Sequence, residues 1–215
     1  QRVIGMDKAG LIVSLIYGPP MKSKGARHYQ NTGVRWMINT LQTYGGCILA
    51  DEMGLGKTFQ TINVLKSTAV GRTLILCPGS VRETWREELA KWDPKSSAYV
   101  CYPGKRWVGG LHAKYIVCSY HYDMIDRCVS ELFDGEYPEF LVLEEAHRIR
   151  GRKTKRSDVL EQISPMIPYK VALTGTPQWN SMKDWFQLLK IILPGRFGNQ
   201  WDFDRRYAGA VQGTH

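Results

Sequence analysis

The sequence predicts an α/β domain built on a parallel sheet with helices on both faces. Three observations predict it. Short β-rich apolar runs alternate with helical stretches from about Cys47 onward, a glycine-rich loop stands between one such run and a helix, and 215 residues with 43% hydrophobic content suffice for one good core. The expected strands are Cys47–Ala50, Thr73–Cys77, Lys114–Cys118, Phe140–Leu143 and Lys170–Leu173. Their apolar residues run almost without interruption, as strands covered on both faces require.

The elements follow in chain order. Residues 1–25 read as an N-terminal hairpin and loop extension, the stretch Gly18 to Gly25 being rich in Pro, Gly and Lys. Residues 26–215 read as the α/β lobe itself. Trp36, Trp85, Trp92 and Trp185 fall at helical spacing among apolar neighbours, which places them in the core and not on a base-stacking surface. Ser80 with Glu83 forms a candidate capping box for a helix reaching about Trp92, where Asp93-Pro94 stops it. Asn180 is the candidate cap of an amphipathic helix to Leu193, closed by Pro194-Gly195.

Composition bounds the partners. The formal charge of +9 suits a polyanion. The five cysteines, Cys47, Cys77, Cys101, Cys118 and Cys128, form no C-x-x-C pair and mostly sit in strand-like runs, so they read as reduced core thiols, not as a disulfide framework or zinc site. Apolar stretches such as Leu11 to Tyr17 are far shorter than the roughly 20 residues that span a bilayer. The expectation is an intracellular protein without a membrane partner, working in a nucleus or in the cytoplasm of a prokaryote or a virus-infected cell.

The strongest motif is Asp51-Glu52-Met53-Gly54-Leu55-Gly56-Lys57-Thr58, directly after the strand Cys47–Ala50 and before a helical stretch. Glycines there let successive backbone N–H groups turn toward phosphates, and a helix N-terminus adds partial positive charge. Lys57 is the residue to reach the β- and γ-phosphates of ATP, with the Thr58 hydroxyl on Mg²⁺. Asp51 stands where the longer form of the motif has glycine; Gly54-Leu55-Gly56-Lys57-Thr58 fits the shorter G-x-G-K-T form. A strand-to-helix turn that merely needs glycine would leave a cation at a helix N-terminus unexplained.

A second motif, Glu144-Glu145-Ala146-His147, emerges from the apolar run Phe140–Leu143. Ligand chemistry in open α/β sheets gathers at the C-terminal ends of strands. Glu144 is assigned to Mg²⁺ and Glu145 to the water that attacks the γ-phosphate. Taken alone, two glutamates after a strand also fit the solvated start of a loop.

With these two motifs in order, the chain resembles the superfamily 2 helicase-like ATPases, and within them the SWI/SNF-type DNA translocases. Tyr29-Gln30-x-x-Gly33-Val34-x-Trp36 resembles the segment before the loop, where the resemblance implies that Gln30 reads adenine. Asp51 to Thr58 matches the family's DEMGLGKT. Leu74 to Val81, with Trp85 and Glu88, is similar to motif Ia, and Ile116 to Tyr120 to motif Ib. Leu173-Thr174-Gly175-Thr176-Pro177 resembles motif III, which implies that Thr174, Gly175, Thr176 and His147 couple hydrolysis to lobe movement. The resemblance implies a RecA-like P-loop NTPase fold, with Asp51, Met53, Gly54, Leu55, Gly56, Lys57 and Thr58 around ATP. It implies ATP-driven translocation on double-stranded DNA without strand separation, and a second RecA-like lobe, absent from these 215 residues, without which turnover is nearly lost. One departure is notable: the family's motif II begins with Asp, and here Glu144 is one methylene longer.

For nucleic acid, Arg148-Ile149-Arg150-Gly151-Arg152-Lys153-Thr154-Lys155-Arg156 carries six cations in nine residues immediately after motif II. Arg150, Arg152, Lys153 and Lys155 are the candidate phosphate contacts, although such a run also reads as a solvated surface. By resemblance, backbone amides and hydroxyls near Gly79, Ser80, Ser119 and Tyr120 hold one strand's phosphates, while Ser80 and Ser119 also suit helix caps. Two further readings stay open: a strand-separating DNA or RNA helicase, and a nucleotide-gated DNA-binding scaffold with weak hydrolysis.

Overall fold

A computed structural model describes residues 25–68, 70–133, 136–149, 154–175 and 183–207. The expected N-terminal hairpin, Arg150, Arg152, Lys153, Thr176 and Asn180 lie outside the described residues. Six strands, β1 (Gly46–Leu49), β2 (Thr73–Cys77), β3 (Ala98–Val100), β4 (Tyr115–Ser119), β5 (Phe140–Leu143) and β6 (Tyr169–Leu173), form one sheet in the order β1-β6-β5-β2-β4-β3. Every pairing is parallel. The five expected strands are present within a residue at either end. β3 went unread because three residues at the sheet edge offer too short an apolar run to signal.

The strands bury both faces, and alternate residues feed two separate cores. Ile75, Val117, Val142 and Val171 face α1 (His28–Tyr44), α2 (Lys57–Ser67) and α3 (Arg82–Trp92) through Met37, Ile62 and Leu89. Leu74, Leu76, Ile116, Leu141 and Ala172 face the opposite layer, α4 (Tyr122–Leu132), α5 (Lys155–Ile163), α6 (Lys183–Ile192) and α7 (Gln200–Tyr207), through Ile125, Leu160, Leu188 and Phe203. Trp36 and Trp85 are buried, and Trp92 and Trp185 are partly buried against these cores, as their spacing implied.

The Ser80–Glu83 capping box does not form. Gly79–Val81 makes a 3₁₀ turn, α3 starts at Arg82 with Val81 at its N-cap and no side-chain cap, and Glu83 accepts from Arg86 Nε at 2.6 Å instead. The tighter turn satisfies the first amides that a serine cap would have served. Ser119 is not a cap either: α4 begins after His121, and the Ser119 hydroxyl donates to Met124 Sδ at 3.1 Å. The stop at Asp93 stands for a further reason. Its carboxylate accepts the buried Tyr115 hydroxyl at 2.6 Å and lies 3.7 Å from Lys114 Nζ, which ties the end of α3 to β4.

All five cysteines are buried and free. No helix among the described residues is long and apolar enough to cross a membrane.

Candidate nucleotide site and cationic groove

Because every strand is parallel, all the strand C-termini open on one edge of the sheet. Chain order and spatial order differ there. Along that edge the loop after β1 comes first, then Thr174-Gly175 after β6, Glu144-Glu145 after β5, Pro78-Gly79 after β2, and Tyr120 after β4. Three of the motifs thus meet at one end and two at the other.

At the first end, α2 begins at Lys57, and Gly56 at its N-cap takes a left-handed φ of 77°, as does Gly54 at 83°. A side chain on Gly56 would be strained, and it would collide with the Gln30 amide. Gln30 is held at the start of α1, where its Oε1 accepts the Arg27 amide at 2.9 Å and its Nε2 donates to Leu55 O at 3.3 Å. That bond seats the glutamine against the glycine loop. Lys57 is buried, 8% exposed, and its Nζ donates to Asp51 O at 2.9 Å and Glu52 O at 3.1 Å. Gln60 Nε2, one turn along α2, donates to Asp51 Oδ2 at 3.0 Å and to Leu55 O at 3.4 Å, so the loop is braced from two helices. Gln60 carried no motif signal. Its role follows only from the i+3 turn of α2.

Thr174 N donates to Leu49 O at 3.1 Å, continuing the β1–β6 ladder. This brings Gly175 against the loop, where an added Cβ would stand 2.7 Å from Met53 Cγ and 3.5 Å from Lys57 Nζ. Met53 itself is 75% exposed.

Glu144 sits between these groups and the far end of the edge. Its amide donates to Leu76 O at 2.8 Å, and Oε2 is buried without a hydrogen-bond partner. Burial, and secondly the adjacent Glu145 carboxylate, push its carboxyl up to about 7, against the pull of Lys57 and a hydrogen bond with Trp85. Glu145 holds φ at 53°, the sole positive φ of a non-glycine residue among those described. Such a conformation costs on the order of 1–3 kcal/mol. Glu145 Oε2 approaches His147 Nδ1 to 3.1 Å.

At the other end, Pro78, Gly79, Arg82, Ser119, Tyr120, His121, Tyr122, Arg148, Thr154, Lys155 and Arg156 line a groove of about 460 Å³ that Pro103 completes. Of the expected phosphate contacts, Gly79, Ser119, Tyr120 and Lys155 lie here. Ser80 is exposed in the adjoining turn. The Ser119 and Tyr120 side chains face inward: both residues are buried, and the Tyr120 hydroxyl donates to Glu144 O at 2.8 Å. What those two positions offer a ligand is backbone. The other cations are Arg148 and Arg156, from the two ends of the same basic run, and Arg82, which the sequence did not single out. Lys155 and Arg156 form the first turn of α5, capped by Thr154, whose Oγ1 accepts from Ser157 N at 3.3 Å, so this part of the basic run is ordered helix. Lys155 Nζ packs 5.0 Å over Tyr122, and the Arg82 guanidinium 4.9 Å over Tyr102. No periodicity announces Arg82; only its place one turn after β2 brings it into the groove.

The model of the SNF2-related domain matches residues 29–212. Among curated proteins, the chain is 33% identical over 205 residues to the mouse SWI/SNF-related matrix-associated actin-dependent regulator of chromatin subfamily A member 1, covering 89% of this chain and 18% of that protein. It is 32% identical over 189 residues to the ISWI chromatin-remodeling complex ATPase ISW1 of Saccharomyces cerevisiae, covering 83% of this chain and 16% of that one. Among solved structures, the Sulfolobus solfataricus SWI2/SNF2 ATPase core in complex with dsDNA superposes with a TM-score of 0.74 at 28% identity, covering 91% of this chain and 42% of that one. The chain therefore spans less than a fifth of those curated relatives and under half of the archaeal core. A RecA-like parallel sheet, a G-x-G-K-T loop meeting two acidic residues at its edge, and a match over most of the length agree: the chain belongs to the SNF2-related domain family.

Proposed function

We propose that this chain is the ATP-binding lobe of an ATP-dependent motor that moves along double-stranded DNA and remodels what is bound there. One observation carries the reading. The phosphate loop and the acidic pair share a sheet edge with a cationic groove, and the Tyr120 hydroxyl on Glu144 O joins the two. The relatives include a chromatin-remodeling ATPase and an ATPase core in complex with dsDNA, which supports duplex DNA as partner here.

The residues fit ATP and Mg²⁺. Lys57 Nζ, satisfied by two backbone carbonyls, is a buried cation ready to exchange neutral acceptors for phosphate oxygens. Glu144 Oε2, a buried oxygen without a donor, suits a cation beside it. When bound, Mg²⁺ supplies charge neutralisation on the phosphates. Thr58 and Glu144 would hold it, and Gln30 would hold adenine. Glu145, its Oε2 3.1 Å from His147 Nδ1, orients the attacking water and takes up its proton. His147 beside Glu145, and Gly175 against Met53 and Lys57, connect these residues to motif III. A second lobe completes the site by adding charge opposite the γ-phosphate, so this lobe alone binds nucleotide better than it turns it over.

The groove binds phosphates without reading bases. Arg82, Arg148, Lys155 and Arg156 provide charge, and the amides near Gly79 and Tyr120 provide donors. DNA as partner sets the workplace as a compartment that holds DNA.

The deciding experiment measures ATP hydrolysis by the full-length protein with duplex DNA, single-stranded DNA or RNA. Stimulation by duplex, falling steeply with salt, is expected. Stimulation by single strands or RNA with strand displacement would instead mean an unwinding helicase. A second reading, a nucleotide-gated scaffold, draws on Glu144: a longer, buried carboxyl in place of Asp. ATP binding without stimulation by any nucleic acid would favour it.

A further inference from the structure

Behind the groove lining, where Arg82 donates to Cys101 O at 2.6 Å, three of the five cysteines come together. β3 pairs with β4 with Val100 beside Val117, and the Cys101 amide continues the ladder to Val117 O at 2.8 Å. Cys101 is therefore the cross-strand neighbour of Cys118, on the same face of the sheet. The third, Cys128, comes down on that face from α4. All three are 0% exposed, and their Sγ atoms lie within 4.8 Å of one another. Each is held by a rigid element. Among the described residues, no histidine or carboxylate joins the group.

The geometry is close to what an ion with three sulfur ligands needs. Sulfurs about 2.3 Å from a common centre stand roughly 3.5–4.0 Å apart, so the trio closes on an ion with shifts below about 1 Å. The Cys118 thiol is oriented from α4, donating to Met124 O at 3.7 Å. Charge decides which ion is accepted. The surroundings are apolar, with Trp107, Met124, Ile125 and Leu132 in the same cluster, and a net charge is costly there. Three thiolates leave a net negative charge on a monovalent or divalent metal, and none on a trivalent one.

We propose that Cys101, Cys118 and Cys128 form a three-sulfur site for a single thiophilic, three-coordinate ion, with trivalent arsenic the form that the charge balance favours. Arsenous acid would condense with the three thiols: three As–S bonds form, three As–O bonds break, and three waters leave, with no change of oxidation state. Entry needs only local opening of α4, which covers the sulfurs.

The test is arsenite titration of the reduced 215-residue chain, followed by native mass spectrometry and by arsenic X-ray absorption. The expected result is one adduct per folded chain, heavier by one arsenic less three hydrogens, with three sulfur neighbours around arsenic. Cys101→Ser, Cys118→Ser and Cys128→Ser should each weaken it at least tenfold, while Cys47→Ser and Cys77→Ser, equally buried but outside the trio, should not. An adduct that keeps one or two hydroxyls on arsenic, binding indifferent to the trio variants, or no adduct on the folded chain would overturn the proposal. Should a serine variant fail to fold, the count of sulfur neighbours on the unaltered chain decides alone.

Discussion

Lys57→Ala tests the nucleotide site most directly, because the effect follows from where its amine already is. Lys57 is 8% exposed, and its Nζ sits between Asp51 O and Glu52 O at 2.9 and 3.1 Å. Nucleotide binding turns this cation from neutral carbonyls to charged phosphate oxygens in a partly desolvated pocket. Two unit charges 4 Å apart attract by about 4 kcal/mol at the effective dielectric of such a site. Giving up the two carbonyl bonds takes back about 1 kcal/mol of that. The variant should therefore lose about 2–4 kcal/mol of ATP affinity, roughly 30- to 1,000-fold in Kd. Calorimetric titration with a non-hydrolysable ATP analogue and Mg²⁺ on this chain reads it, with Lys95→Ala, an exposed lysine outside the loop, expected to change Kd by less than about threefold. Thermal unfolding of both variants confirms that the fold persists. If Lys57→Ala kept its affinity within threefold of the unaltered chain, Lys57 would not be the phosphate ligand, and the assignment of the whole loop would fall with it.

Three other outcomes are expected. Glu145→Gln in the complete motor should leave ATP affinity nearly intact and reduce turnover by at least about a hundredfold, the usual worth of a general base, and steady-state hydrolysis checks it. Tyr120→Phe removes the bond to Glu144 O and orphans a buried carbonyl. It should cost about 1–2 kcal/mol and lower the Tm by roughly 3–6 °C, and in the full motor it should weaken DNA stimulation more than ATP affinity. Lys170 is buried, with Nζ donating to Ser164 O at 3.3 Å and Ile167 O at 2.5 Å, and burial pushes its amine down to about 8 from 10.5. Between those values the unfolded chain holds a proton that the folded chain has released. Stability should then rise with pH from about 8 to 10.5, by at most about 1.4 kcal/mol per pH unit from this group, and denaturant unfolding of Lys170→Met should lack that component.

Much of the fold was legible because its signals are local. Five strands announced themselves as apolar runs bounded by turns, and both cores fill from alternate residues of those same runs. β3 escaped because an edge strand of three residues is partly exposed and shorter than any periodicity can reveal. The Ser80–Glu83 box misled because a 3₁₀ turn, whose amides find backbone acceptors, competes with the serine cap at a strand-to-helix corner. The phosphate loop was legible for a related reason. Gly54 and Gly56 occupy left-handed backbone that few other residues tolerate, so the shape of the loop leaves its mark in the sequence itself.

Sequence by itself determined the parallel α/β class and which residues of the loop and the acidic pair are candidates for the chemistry, since both rest on local pattern. Tertiary structure alone decided who stands beside whom. Strand order β1-β6-β5-β2-β4-β3 sets Gly175 on the phosphate loop, gathers Arg82, Arg148 and Arg156 into one groove, and draws Cys101, Cys118 and Cys128 together from three elements. It also turns the Ser119 and Tyr120 hydroxyls inward, where a motif alone would have aimed them at DNA. The physical reason is that residues distant in the chain meet only once parallel crossovers fix which strands adjoin, and nothing in the local chain encodes that adjacency.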